Sequence, residues 1–119
     1  SIVRGNTSKK IIEMVRSKGA KNVYFASAAP PVRFQNVYGI DMPATRELVA
    51  HGKTIQEVKE IIGADELVYQ DIEDLRMAAH IGNPSITQFE DSVFTGEYCA
   101  GKISEEYLHS LEKSRSSKP

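Results

Sequence analysis

Cysteine is almost absent. A single residue, Cys99, in 119 excludes an internal disulfide and any metal site built from cysteine alone, and it fits a reduced, cytoplasmic setting. Long apolar runs are missing too, and none approaches the roughly 20 residues needed to span a bilayer. The opening residues are polar and the first apolar stretch is short and amphipathic, which is not a secretory signal. Neither sign of charge dominates. Fifteen Lys and Arg against 16 Asp and Glu leave a net charge of −1, with no basic field for nucleic acid and no polybasic face for a membrane. Repeats, low-complexity tracts and an internal domain boundary are likewise lacking. What is present, 40% hydrophobic and 26% charged residues, is ordinary globular composition with enough length for a modest core.

Helical and strand patterns alternate along the chain. Ile11, Ile12, Val15 and the stem of Lys18 recur at helical spacing, with Asn6, Thr7 or Ser8 as candidate caps and Gly19 as the stop. Residues 23–26 form a short apolar run that reads as a buried parallel strand. Residues 30–43, with two adjacent prolines, read as a functional loop or short edge strand. A short helix is expected over residues 45–51. A capped helix follows from Thr54, with Ile55, Val58, Ile61 and Ile62 on its apolar face and Gly63 at its end. Residues 67–69 predict a second strand. Asp71 predicts a cap for a helix that groups Ile72, Leu75, Ala78 and Ala79 and stops at Asn83-Pro84. Residues 92–96 read as a turn with weak strand character and residues 104–111 as a helix, followed by a polar tail, 112–119, that frays.

The stretch of greatest chemical interest is Ser1-Ile2-Val3-Arg4-Gly5-Asn6-Thr7-Ser8. A glycine-centred turn that runs into a helix offers backbone N–H groups and the positive end of a helix dipole to an anion such as phosphate. The same residues also suit a plain turn and N-cap, and both readings stay open. Elsewhere no reactive constellation emerges. His51, His80 and His109 share no ligand spacing. Glu73-Asp74 and Glu105-Glu106 fall in first helical turns, where acids complement the dipole. Cys99 lacks an activating neighbour, and Lys9 and Lys10 read as a solvated helix face. No nucleophile–base pair and no catalytic residue is predicted.

The opening loop resembles the second half of the phosphoribosyl-pyrophosphate motif of the glutamine-dependent amidophosphoribosyltransferases, a hydrophobic strand and two aspartates followed by Ser-Ile-Val-Arg-Gly-Thr-Thr. Further blocks resemble that family in the same order: Val23-Tyr24-Phe25-Ala26-Ser27-Ala28-Ala29-Pro30-Pro31, Tyr38-Gly39-Ile40-Asp41-Met42-Pro43, Glu47-Leu48-Val49-Ala50-His51-Gly52, Ile62-Gly63-Ala64-Asp65 and Val93-Phe94-Thr95-Gly96-Glu97-Tyr98. The resemblance implies an α/β fold, part of a type I phosphoribosyltransferase fold with helices on both faces of a parallel sheet whose first part is missing. Residues 1–111 would form the C-terminal portion of that domain. It also implies transfer of glutamine-derived ammonia to C1 of phosphoribosyl pyrophosphate, giving phosphoribosylamine in purine biosynthesis. Arg4, Gly5, Asn6 and Thr7 would hold the 5′-phosphate, with Ser1 at the ribose edge.

The paired aspartates expected to hold ribose and magnesium would come just before Ser1, so these residues alone are expected to be inactive. Asn6 stands where the family commonly has threonine, and its amide still donates to phosphate. One branch of the family carries an iron–sulfur cluster. At the positions matching its cysteines this chain has Asn36, Glu90 and Val93, which cannot hold a cubane, so the resemblance is to the cluster-free, proteobacterial-type branch. Purine nucleotide inhibitors at the loop and a homo-oligomer are further expectations. Three other functions compete: a phosphoribosyltransferase-fold regulator, a purine-salvage transferase, and an inert assembly piece. The regulator lacks a basic DNA-binding extension here, and the salvage enzyme would not share the 38–43 and 93–98 blocks.

Overall fold

A computed structural model describes residues 1–117; the last two residues of the expected frayed tail lie outside the described residues. Five helices, α1 (Asn6–Ser17), α2 (Ile55–Ile62), α3 (Ile72–Gly82), α4 (Ser92–Thr95) and α5 (Glu105–Ser116), accompany two strands, β1 (Tyr24–Ser27) and β2 (Glu66–Tyr69). The strands pair in parallel, with Phe25 opposite Leu67 and Ser27 opposite Tyr69. A crossover through α2 joins them, as parallel pairing requires.

Pleat alternation gives the sheet two unlike faces. Phe25, Leu67 and Tyr69 turn toward Ile2, Ile12 of α1, Val23, Val49, Ala50, and Val58 and Ile62 of α2, and together these make the core. Tyr24 and Val68 point the other way and are 73% and 62% exposed. The expectation of a strand buried on both faces is therefore corrected: α1 and α2 cover one face, and no helix of the described residues covers the other. The helical stripes are narrower than their spacing predicts. Ile12 is buried but Ile11 and Val15 are exposed, as are Ile55 and Ile61 on α2. No residue of α3 is fully buried.

Caps follow local chemistry. Thr54 Oγ1 accepts from Glu57 N–H, which is the N-cap half of the expected capping box. The Glu57 carboxylate accepts from Thr54 Oγ1 rather than from its backbone N–H, and Asp71 accepts from the N–H groups of Glu73 and Asp74. The start of α1 differs from expectation: its cap is Gly5, and Asn6, Thr7 and Ser8 all lie inside the helix. Residues 45–51 do not complete a helix. A single 3₁₀ turn, Thr45–Glu47, gives way to extended backbone at Leu48, because Val49 N–H donates to Val3 C=O rather than to its own turn. Residues 92–95 form a helical turn instead of a strand-like one, with Ser92 N–H and Oγ both held by the Glu90 carboxylate. Helix α5 runs to Ser116 through residues expected to fray, because Arg115 donates to Gln35 Oε1 and Asn36 C=O. Those bonds, with Tyr98 Oη donating to Gln35 C=O and Gln35 Nε2 to Leu108 C=O, strap the irregular segment 30–43 in place.

Two stability predictions follow from this packing. Asp65 Oδ2 accepts from Val23 N–H at 2.7 Å and from Arg16 at 2.6 Å. These two bonds, in that order, hold its carboxyl below the ordinary value of 3.8. A depressed folded value means that the contribution is present above pH 3.8 and is lost as pH falls through the lower folded value. The acid limb of an unfolding-stability profile should therefore flatten in Asp65→Asn; an unchanged limb would contradict this. Tyr69 Oη, by contrast, is buried with no hydrogen-bond partner among the described residues, and burial pushes the phenol pKa up against the opposing charge of Arg33. Removing an unsatisfied buried hydroxyl removes a desolvation cost, so Tyr69→Phe should leave stability to denaturant unchanged or raise it by up to about 1 kcal/mol.

Candidate functional site

The loop that opens the chain closes around Gly5, whose φ of 82° lies in the left-handed region. A Cβ there would sit 3.3 Å from Cγ2 of Ile62 and 3.3 Å from Cγ2 of Val49, so the backbone packs where a side chain would stand. Lys9 N–H donates back to Gly5 C=O and starts α1. The N–H groups of Arg4, Gly5, Asn6, Thr7 and Ser8 have no acceptor among the described residues. Five consecutive free donors stand at the positive end of a 12-residue helix, an arrangement that could receive an anion. They line a recess of about 280 Å³ formed by residues 1–8 alone.

Each predicted loop residue has a distinct place. Ser1 is exposed at the rim, and Asn6 and Thr7 are exposed with side chains free to donate into the recess. Ile2 is buried in the core and anchors the loop from below. The Arg4 guanidinium leaves the recess and pairs with Glu47 at 3.2 Å, so only its backbone N–H faces an anion. Val49 and Glu47 were not legible as loop supports from spacing, since they stand more than 40 residues downstream.

The other candidates do not converge. His51 Nδ1 lies 2.6 Å from Arg33 C=O and His80 Nδ1 lies 2.9 Å from Ile86 C=O, both roles of local structure. Cys99 is exposed, with Sγ 3.5 Å from Phe89 C=O. Among the described residues no group of three or more His, Cys, Asp or Glu is placed to hold a metal. Asn36 is buried and its Oδ1 accepts from the N–H groups of Tyr38 and Ile40. Glu90 caps Ser92, and Val93 C=O accepts from the N–H groups of Arg33 and Phe34. Asn36 and Val93 are thus committed to the 30–43 segment and Glu90 to the start of α4. A larger cleft, about 720 Å³, lies between α3 and residues 87–99, but its central cation, Arg76, is already paired with Asp91 and Glu73.

No protein-family model matches the sequence. Individual relatives do. Over 115 residues, 97% of the chain, it is 54% identical to the amidophosphoribosyltransferase of Haemophilus influenzae and 56% identical to that of Escherichia coli. Over this length the chain is similar to one part of these amidophosphoribosyltransferases. It spans 23% of the length of each of these curated relatives. The fold agrees: Bacillus subtilis glutamine phosphoribosylpyrophosphate amidotransferase, solved with ADP and GMP, matches 89% of the chain and 23% of its own, with 34% identity and a TM-score of 0.72. A second solved structure, described as the allosteric regulatory enzyme of purine biosynthesis, matches 94% of the chain and 24% of its own, with 31% identity and a TM-score of 0.73. The α/β class expected from the sequence is therefore that of the phosphoribosylpyrophosphate amidotransferases. No helix of the described residues is long and apolar enough to cross a membrane.

Proposed function

We propose that residues 4–7 cradle the 5′-phosphate of phosphoribosyl pyrophosphate in an amidophosphoribosyltransferase, with Ser1 at the ribose edge. The observation that carries this reading is the run of unpaired N–H groups at Gly5, in a sequence more than half identical to curated enzymes of that name. In the reaction, the nitrogen lone pair of glutamine-derived ammonia forms a bond to ribose C1. The C1–oxygen bond breaks, its electrons leave with pyrophosphate, and loss of one proton from the new C1 ammonium group gives phosphoribosylamine. The loop's part is to fix one end of the substrate, so that C1 is held in place while charge builds on the sugar and the leaving group. The Asn6 amide and Thr7 hydroxyl add donors to the same phosphate.

Magnesium belongs to this reading for the whole enzyme, but the residues present do not fit it. The acid tied to the loop, Glu47, is taken up by Arg4 and by Ala44 N–H, so no step is routed through the ion here. An iron–sulfur cluster is not part of the reading, because Asn36, Glu90 and Val93 carry no thiolate and are engaged in local hydrogen bonds. Residues 1–111 serve as the C-terminal portion of a phosphoribosyltransferase domain in a cytoplasmic homo-oligomer, with purine nucleotide inhibitors sharing the phosphate loop. A polypeptide of these 119 residues alone supplies the phosphate cradle without the chemistry. Calorimetric titration should show binding of ribose 5-phosphate and not of ribose, and an assay with ammonia and phosphoribosyl pyrophosphate should yield no phosphoribosylamine. Equal binding of ribose would overturn the first half of this reading, and product formation the second.

A further inference from the structure

We infer that Glu47 and Glu112 are positioning residues for the phosphate loop, and that they tie α5 to it through the 3₁₀ turn at Thr45–Glu47. The inference rests on the phosphate reading above. Three links make the connection. The Glu112 carboxylate on α5 accepts from Thr45 N–H at 2.8 Å and from Arg46 N–H at 3.4 Å. Within the same turn, Glu47 Oε2 accepts from Ala44 N–H at 3.1 Å while its Oε1 accepts from Arg4 Nε at 3.2 Å. Two residues on, Val49 N–H donates to Val3 C=O at 2.9 Å, and Val49 Cγ2 backs Gly5.

The turn is a firm base for this chain of contacts. Ala44 is 0% exposed and Leu48 1% exposed, so its two ends are fixed in the interior. Burial raises the Glu112 pKa, but the bonds from Thr45 and Arg46 outweigh that effect and the net direction is down, as expected of a carboxylate engaged as an anion. The Arg4–Glu47 pair, in contrast, is half exposed, and exposed pairs add little to stability. Its consequence is local: it restrains the residue next to Gly5 and turns the guanidinium out of the recess. Loss of the pair should therefore be read in the loop and its ligand rather than in the melting temperature.

The test uses amide NMR of the 119-residue chain, with inorganic phosphate as the probe. Ligand-free Glu47→Gln and Glu112→Gln should both shift the amides of residues 4–8, whereas Glu105→Gln on the same helix should not. Phosphate Kd should weaken about threefold to tenfold in each of the two variants, and Arg4→Ala combined with Glu47→Gln should be no weaker than either alone, as expected of one shared interaction. Unshifted loop amides and unchanged affinity in Glu47→Gln, with wild type binding phosphate, overturn the inference and leave the phosphate reading standing. A wild type that ignores phosphate while the ligand-free amides still respond to both variants overturns the phosphate reading and keeps the coupling. Should Glu112→Gln fail to fold, the half-exposed Glu47→Gln carries the test.

Discussion

Replacing Gly5 by alanine should weaken phosphate binding at least about tenfold, the equivalent of about 1.4 kcal/mol, and should also destabilise the fold. Two separate costs combine. An L-residue held at the observed φ of 82° loses about 1–2 kcal/mol relative to its preferred conformations. The new methyl also meets Val49 and Ile62 at 3.3 Å, tighter than ordinary contact, so the loop must shift away from α2. That shift displaces the donors of residues 4–8, on which the proposed phosphate site rests. Urea unfolding and phosphate titration of the same variant separate the two effects. A Gly5→Ala protein with wild-type affinity would mean that the loop does not need its glycine to present these N–H groups.

Ile62→Ala should be the most destabilising of the single substitutions considered, by about 3 kcal/mol. Ile62 is 0% exposed, at the end of α2, where it joins the core to the loop. Truncation leaves a cavity directly behind Gly5. Ile62→Val keeps the Cγ2 methyl that touches the glycine and should cost about 1 kcal/mol with phosphate affinity unchanged. The double variant Gly5→Ala with Ile62→Ala should lose less than the sum of the two singles, since the added methyl enters the space vacated by the deleted ones. Additive losses would show that the close approach at Gly5 has no energetic weight.

Local signals in the sequence carried most of the secondary structure. The N-cap at Thr54, the cap at Asp71 and the stop at Gly63 are each a few residues long and depend only on neighbours, and each is found in the structure. Elements failed where distant parts of the chain decide the outcome. Residues 45–51 have helical composition, but Val49 gives its N–H to Val3, which breaks the pattern. Likewise α5 continues past Leu111 because Glu112 and Arg115 find partners on the 3₁₀ turn and the 30–43 segment, up to 80 residues away. The site shows the same division. Gly5, Asn6 and Thr7 could be picked out from their order, and the family resemblance implies a phosphate ligand for them. The supports at Glu47, Val49 and Ile62 became visible only in three dimensions. Burial on one sheet face alone was also beyond the pattern, because an apolar run such as residues 23–26 does not reveal how many of its faces are covered.

The most direct measurement is a crystal structure of the chain grown with ribose 5-phosphate. The phosphate is expected in the recess of residues 1–8, with its oxygens within hydrogen-bond distance of the N–H groups of residues 4–8 and the Arg4 side chain still on Glu47. A phosphate bound instead in the larger cleft beside α3, with the opening loop empty, would contradict the account.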